Sequence, residues 1–242
     1  MKEKFAFQKT DEINTDLYIY GEIRKMDLWD MVFGDDETRV DAYNFKDALD
    51  KIETPNLTVR INSMGGSVSE GLAIYNLLSD FKGNLTTIVD GFACSAASVI
   101  FMAGAKRIVP ESGLLMIHNA QFGGGVYGDS NALKKAAEDL EKITQPSINI
   151  YVSKTGLEET KIKEMMDKET WITSQEALEL GFATTIEKDD AKQSLESHYL
   201  HNMVMRLKEL EKNRIGSVIT NETVAEPQKE IGGWTSFFNS KI

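Results

Sequence analysis

The chain has 242 residues, 41% of them hydrophobic and 27% charged, the ordinary composition of a globular protein with one large domain or one domain plus an appendage. Its formal net charge of −11 argues against phosphate-rich partners, so neither nucleic acid nor an anionic membrane surface is expected. One cysteine cannot form an intrachain disulfide, no run of 18 apolar residues occurs, and the N-terminal MKEKFAFQKTDEINTD lacks the apolar stretch of a signal peptide; a cytoplasmic protein is expected.

Short apolar runs alternate with helical patterns along the first half. LYIYGEI (17–23), NLTVRI (56–61), LTTIVD (85–90), RIVP (107–110) and LLMIH (114–118) read as strands. Between them, Phe45, Leu49 and Ile52 mark a helix in 41–53, and Leu72, Tyr75 and Leu78 mark one in 69–81. Residues 95–104 are apolar and small, which predicts a buried helix. The repetition of strand and helix, with nearly all-apolar strands, predicts an α/β fold with parallel pairing and right-handed crossovers.

After residue 118 the pattern becomes helical. Residues 130–155 read as one long helix with Leu133, Ala136, Ala137, Leu140 and Ile143 on one face, kinked or interrupted at Pro146 and stopped at Gly156. A second helix covers about 157–166, and Thr173 with Glu176 forms a capping box for a short helix ending at Gly181. The domain is expected to end near residue 187. Beyond it, Tyr199, Met203 and Leu207 predict an amphipathic helix within 188–242, followed by a tail with Trp234, Phe237 and Phe238. That tail is either a flexible terminus or a docking segment.

GFACSAAS (91–98) holds the candidate nucleophiles Cys94, Ser95 and Ser98. Ser95 falls where a helix begins, a place with unpaired N–H groups that favours developing negative charge. The same position suits a simple helix cap. NSMGGSV (62–68) follows a strand, and its glycine pair is either a tight turn or a backbone able to offer the Gly66 amide to an oxyanion. His118 ends an apolar strand in a chain with three histidines, and is a core residue or a general base. Asp167 and Glu169 are a solvated helix end or the third member that orients an imidazole.

Together, INSMGGSVSEGLAIYNLL, DGFACSAASVIFMAGAKRIVPESGLLMIHNA and MMDKETWITSQEALELGF resemble the Clp protease proteolytic subunit (ClpP) family, most closely its phage-associated branch of prohead or head-maturation proteases. The resemblance covers about residues 15–187. It implies a ClpP/crotonase-like α/β fold of repeated ββα units with a helical handle, formed by 130–155, and a serine peptidase needing no metal or cofactor. By position it implies Ser95 as nucleophile, His118 as base, and the Gly66 and Ala96 amides as the oxyanion hole. Glu169 stands at the register of the acid, where the family has aspartate, and Asp167 lies two residues earlier. Gly123 and Gly124 resemble the family's glycine-containing strand, which pairs with substrate backbone. Met64 replaces the usual proline before the glycine pair.

The resemblance also implies a homo-oligomer of heptameric rings, stacked as a tetradecamer, acting on peptide or protein substrates. Its partner is either an AAA+ unfoldase or phage capsid proteins; the chain has no nucleotide-binding loop of its own. Two other functions share this fold: a non-catalytic assembly protein, and a crotonase-type acyl-CoA enzyme.

Overall fold

The computed structural model describes residues 7–25 and 39–187. The predicted helix through Tyr199–Leu210 and the aromatic tail lie outside the described residues. Strands are β1 (Phe7–Lys9), β2 (Asn14–Ile23), β3 (Asn56–Gly66), β4 (Asn84–Cys94), β5 (Lys106–Pro110), β6 (Leu114–Ile117), β7 (Thr170–Thr173) and β8 (Thr185–Glu187). Helices are α1 (Ala42–Leu49), α2 (Val68–Ser79), α3 (Ala96–Phe101), α4 (Ser130–Thr155), α5 (Glu159–Asp167) and α6 (Ser174–Glu179).

The strands form one mixed sheet in the order β1-β2-β3-β4-β5-β8. β2, β3, β4 and β5 run parallel, as the alternation of strands and helices predicts. β4 is long enough to divide its partners. Its first half pairs with β5 and its last three residues pair with β6. β6 in turn pairs antiparallel with β7, a strand not expected from the sequence because its four residues fall in the short gap between two predicted helices.

The strands differ from the all-apolar expectation. β2 and β3 alternate buried and exposed positions, because the helices cover one face of the sheet only. Leu17, Ile19, Leu57, Val59 and Ile61 point into the core against Ile74 and Leu78 of α2 and Ile100 and Phe101 of α3. The opposite face carries Tyr20, Arg60 and Asp90, where Asp90 accepts hydrogen bonds from both the Tyr20 hydroxyl (2.6 Å) and Arg60 Nε (2.8 Å).

Two local predictions hold for the reason given. Gly156 caps α4 in the left-handed region (φ 76°), and the Thr173/Glu176 capping box is fully formed. Cys94 and Ser98 are buried. Two do not. α4 is not interrupted at Pro146, whose missing N–H costs a single hydrogen bond in a helix half-exposed at that level. Residues 118–129, which contain Gly123 and Gly124, form no strand with any of the described residues.

Arg107 locks the far end of the sheet. Its guanidinium donates to the carbonyls of Phe182 (2.7 Å), Gly104 (3.1 Å) and Gly181 (3.1 Å), joining β5 to the turn after α6. Removal from water pushes its pKa down, and backbone dipoles take the place of a carboxylate.

Candidate active site

The site grows out of strand register. β4 and β6 pair Cys94 with Met116, and the ladder continues as Ser95 N–H donates to the Met116 carbonyl at 2.8 Å. His118, two residues past Met116, is thereby set beside Ser95. Its Nε2 lies 2.7 Å from Ser95 Oγ. β6 and β7 pair Ile117 with Thr170, so one further step of that antiparallel register sets Glu169 opposite His118.

Ser95 does not act as the helix cap that its position allowed. Its side chain makes no capping bond to α3, because the hydroxyl is turned to His118. The backbone there is in a conformation rare for a residue with a side chain (φ 53°, ψ −125°). Such a conformation costs about 1–3 kcal/mol and persists only when its surroundings fix it. Here the Ser95 carbonyl accepts from Ser98 N–H (3.0 Å) and from Ser98 Oγ (2.6 Å), while its amide is held by Met116. Ser98 therefore supports the elbow instead of competing as a nucleophile. Its own hydroxyl proton is committed to Ser95, so the buried Tyr151 hydroxyl must be the donor in their 2.8 Å contact.

The glycine pair ends β3 instead of forming a turn after it, and it lies against this elbow. Gly65 has φ +95°, and a Cβ there would stand 2.6 Å from the Cys94 carbonyl oxygen and 2.7 Å from Ser95 Cβ. Gly66 has φ +143°, and its Cβ would meet the Ile23 carbonyl at 2.2 Å. Only glycine lets β3 approach so closely. Ala96 is the first residue of α3, where an N–H has no partner within the helix.

Gly66, Ser95, Ala96 and His118 share one cavity of about 520 Å³. Gly123 also lines it, whereas Gly124 does not. Among the described residues, no atom beyond the adjoining ones in the chain stands within 4 Å of a Cβ built on either glycine.

The two acids behave differently. Asp167 accepts a 2.7 Å hydrogen bond from Asn119 Nδ2, one residue beyond the histidine. Glu169 makes no side-chain hydrogen bond among the described residues, but its charge reaches the imidazole. Burial pushes the His118 pKa below its usual value, and Glu169 partly opposes that shift. The neutral ring, able to accept a proton, is thus the form favoured near neutral pH. Glu169 also has positive φ (49°), at the tight turn from α5 into β7.

Asn119, Tyr151, Thr144 and Ser147 escape sequence reasoning. The last three lie on one face of α4, but polar residues on a long amphipathic helix look like a solvated surface until the sheet is seen to pack there. Among the described residues no group of three or more His, Cys, Asp or Glu side chains is placed to hold a metal ion, and no helix is long and apolar enough to cross a membrane.

The family model for the Clp protease matches residues 47–190. A similar protein is ATP-dependent Clp protease proteolytic subunit 1 of Protochlamydia amoebophila, 34% identical over 123 residues, which are 50% of this chain and 60% of that protein. The subunit 1 of Chlamydia trachomatis serovar D is 32% identical over 123 residues, covering 50% and 64%. The proteolytic subunit of Bacteroides fragilis is 34% identical over 137 residues, covering 55% and 65%. In each case the chain spans less than two thirds of the relative's own length.

Proposed function

The chain belongs to the Clp protease family, and on that premise we propose that it is a serine endopeptidase. The observation that carries this reading is the 2.7 Å contact between His118 Nε2 and Ser95 Oγ at the wall of a cavity shared with Gly66 and Ala96. Ser95 Oγ attacks the peptide carbonyl while His118 Nε2 takes its proton. The carbonyl oxygen becomes an oxyanion, which the amides of Gly66 and Ala96 stabilise. One such donor is worth on the order of 10²–10³ in rate. The tetrahedral intermediate collapses, the imidazolium gives its proton to the leaving amine, and an acyl ester remains on Ser95. Water, deprotonated by His118, then hydrolyses that ester.

Glu169 is the carboxylate that steadies the imidazolium, supported by its register opposite His118 and its effect on the ring. Asp167 is the second reading, supported by its tie to Asn119. Gly123 at the cavity wall, with Gly124 beside it, offers backbone to an extended substrate.

The exposed apolar positions of α4, Leu133 and Ile143, support its use as a handle between copies of the chain, and hence stacked rings enclosing the sites. The substrates are proteins delivered by an AAA+ unfoldase or capsid and scaffold proteins of an assembling phage head. Digestion of a folded substrate only with an ATPase present marks the first setting; unaided cleavage of capsid or scaffold protein marks the second.

The test of the chemistry is fluorophosphonate labelling with intact-mass analysis. Wild type gains one adduct and Ser95→Ala gains none. Labelling that persists in Ser95→Ala overturns the assignment, and an assembled ring that neither labels nor cleaves peptides supports a non-catalytic assembly role.

A further inference from the structure

The cavity below Ser95 has a polar floor that the chemistry of peptide cleavage does not use. Three hydroxyl-bearing residues of α4, Thr144, Ser147 and Tyr151, recur at spacings of three and four and so share one helix face. All three line the cavity. The two outer ones are fixed. Thr144 Oγ1 accepts from the Ala120 amide (3.1 Å) and donates to the Leu140 carbonyl (2.8 Å). Tyr151 donates to Ser98, which holds the carbonyl of Ser95. One outer residue is thus pinned two residues past His118 and the other beneath Ser95, so Ser147 between them lies under the Ser–His pair.

Ser147 is different. It is only 7% exposed, yet its hydroxyl makes no hydrogen bond among the described residues. No fully sealed side-chain oxygen or nitrogen in the described residues lacks a partner, so the Ser147 oxygen faces accessible space, and the space it lines is this cavity. A hydroxyl on a residue nine-tenths buried, open only to a pocket, is a hydrogen-bonding group awaiting a ligand.

The rest of the lining narrows the ligand. Val68, Leu72, Val99 and Met166 supply apolar walls that suit a methylene stem. The ionisable groups on the wall are His118 itself and Glu22, whose side chain is mostly exposed. A charged end group would therefore be buried without a counter-charge. A purely apolar one would strip water from Ser147 and return nothing. A neutral amide fits both demands: its carbonyl accepts from Ser147 Oγ–H, and it brings no charge to be buried.

We propose that Ser147 is a specificity-determining residue, holding a neutral polar side chain of the glutamine type on the acyl side of the bond to be cut. The inference rests on the peptidase reading and deepens it. It is tested with fluorogenic peptides identical except for Gln, Leu or Glu at that position, and with the full chain carrying Ser147→Ala or Ser147→Thr. Wild type cleaves the Gln peptide with the highest kcat/KM. Ser147→Ala lowers the Gln-to-Leu ratio about tenfold, the worth of one hydrogen bond to a desolvated partner. Ser147→Thr, which keeps the hydroxyl, retains most of the preference.

A wild-type preference for Leu, or a ratio unchanged in Ser147→Ala, overturns the proposal while cleavage itself stands. A second arm needs no cleavage: fluorescence anisotropy of labelled peptides ending in Gln or Leu, binding to Ser95→Ala chain with and without Ser147→Ala. If wild type cleaves nothing, a Gln preference lost in the double variant still supports the pocket and it is the hydrolytic reading that fails. Equal binding of the two peptides overturns the pocket.

Discussion

Gly65→Ala tests whether the glycine pair builds the site or merely turns the chain. The new Cβ would stand 2.6 Å from the Cys94 carbonyl oxygen, 2.7 Å from Ser95 Cβ and 3.0 Å from the Ala96 nitrogen. Ordinary contact begins near 3.4 Å, so β3 and the Ser95 elbow must part by about 0.8 Å, the difference between 3.4 and 2.6. Positive φ at an alanine costs about 1–2 kcal/mol. Overfilling a packed site adds about 1–3 kcal/mol. The sum, about 2–5 kcal/mol, lowers the melting point by roughly 10 °C in a chain of this size. Catalysis suffers separately, because β3 carries the Gly66 amide on one side and the elbow carries Ser95 and the Ala96 amide on the other. A misplacement near 1 Å costs about 10²-fold in rate. The assays are thermal unfolding and kcat/KM on a fluorogenic peptide, paired with the rate of fluorophosphonate labelling. A Gly65→Ala protein with wild-type melting and activity within twofold of wild type refutes the close-approach argument.

Four further outcomes follow from the structure. The acid limb of kcat/KM, set by His118, lies below pH 6.5; Glu169→Gln removes a charge that raises the ring's pKa and moves the limb lower, while Asp167→Asn leaves its position unchanged, so pH profiles separate the two acids. Because the folded pKa of His118 is depressed, the unfolded chain binds the extra proton. This contribution to stability is therefore lost as pH falls from the unfolded value near 6.5 through the folded one, measurable by urea unfolding across that window. Ser98→Ala strands the buried Tyr151 hydroxyl and should cost about 1–3 kcal/mol, whereas Tyr151→Phe leaves Ser98 its donor bond to Ser95 and should cost about 1 kcal/mol, again by urea unfolding. Arg107→Lys keeps the charge but cannot span the Phe182, Gly104 and Gly181 carbonyls; a loss of about 2–4 kcal/mol is expected, and a neutral result would show the fork to be dispensable.

The sequence by itself determined whatever depends on neighbours in the chain. Alternating apolar runs announced β2 to β6, the Thr173/Glu176 pair announced a capped helix, and Gly156 announced the end of α4, because periodicity, capping and left-handed backbone are local properties. Ser95, His118 and the glycine pair could be named as candidates, but each kept a plain structural alternative while its surroundings were unknown. Which of them come together, only the tertiary structure decided. Register between β4 and β6 brings His118 to Ser95 across 23 positions, and the antiparallel return of β7 brings Glu169 opposite the ring. The strand β7, the unbroken passage of α4 through Pro146, and the polar floor of the cavity were hidden from local reading. Each is fixed by packing against segments distant in sequence, where burial and hydrogen-bond satisfaction outweigh local preference.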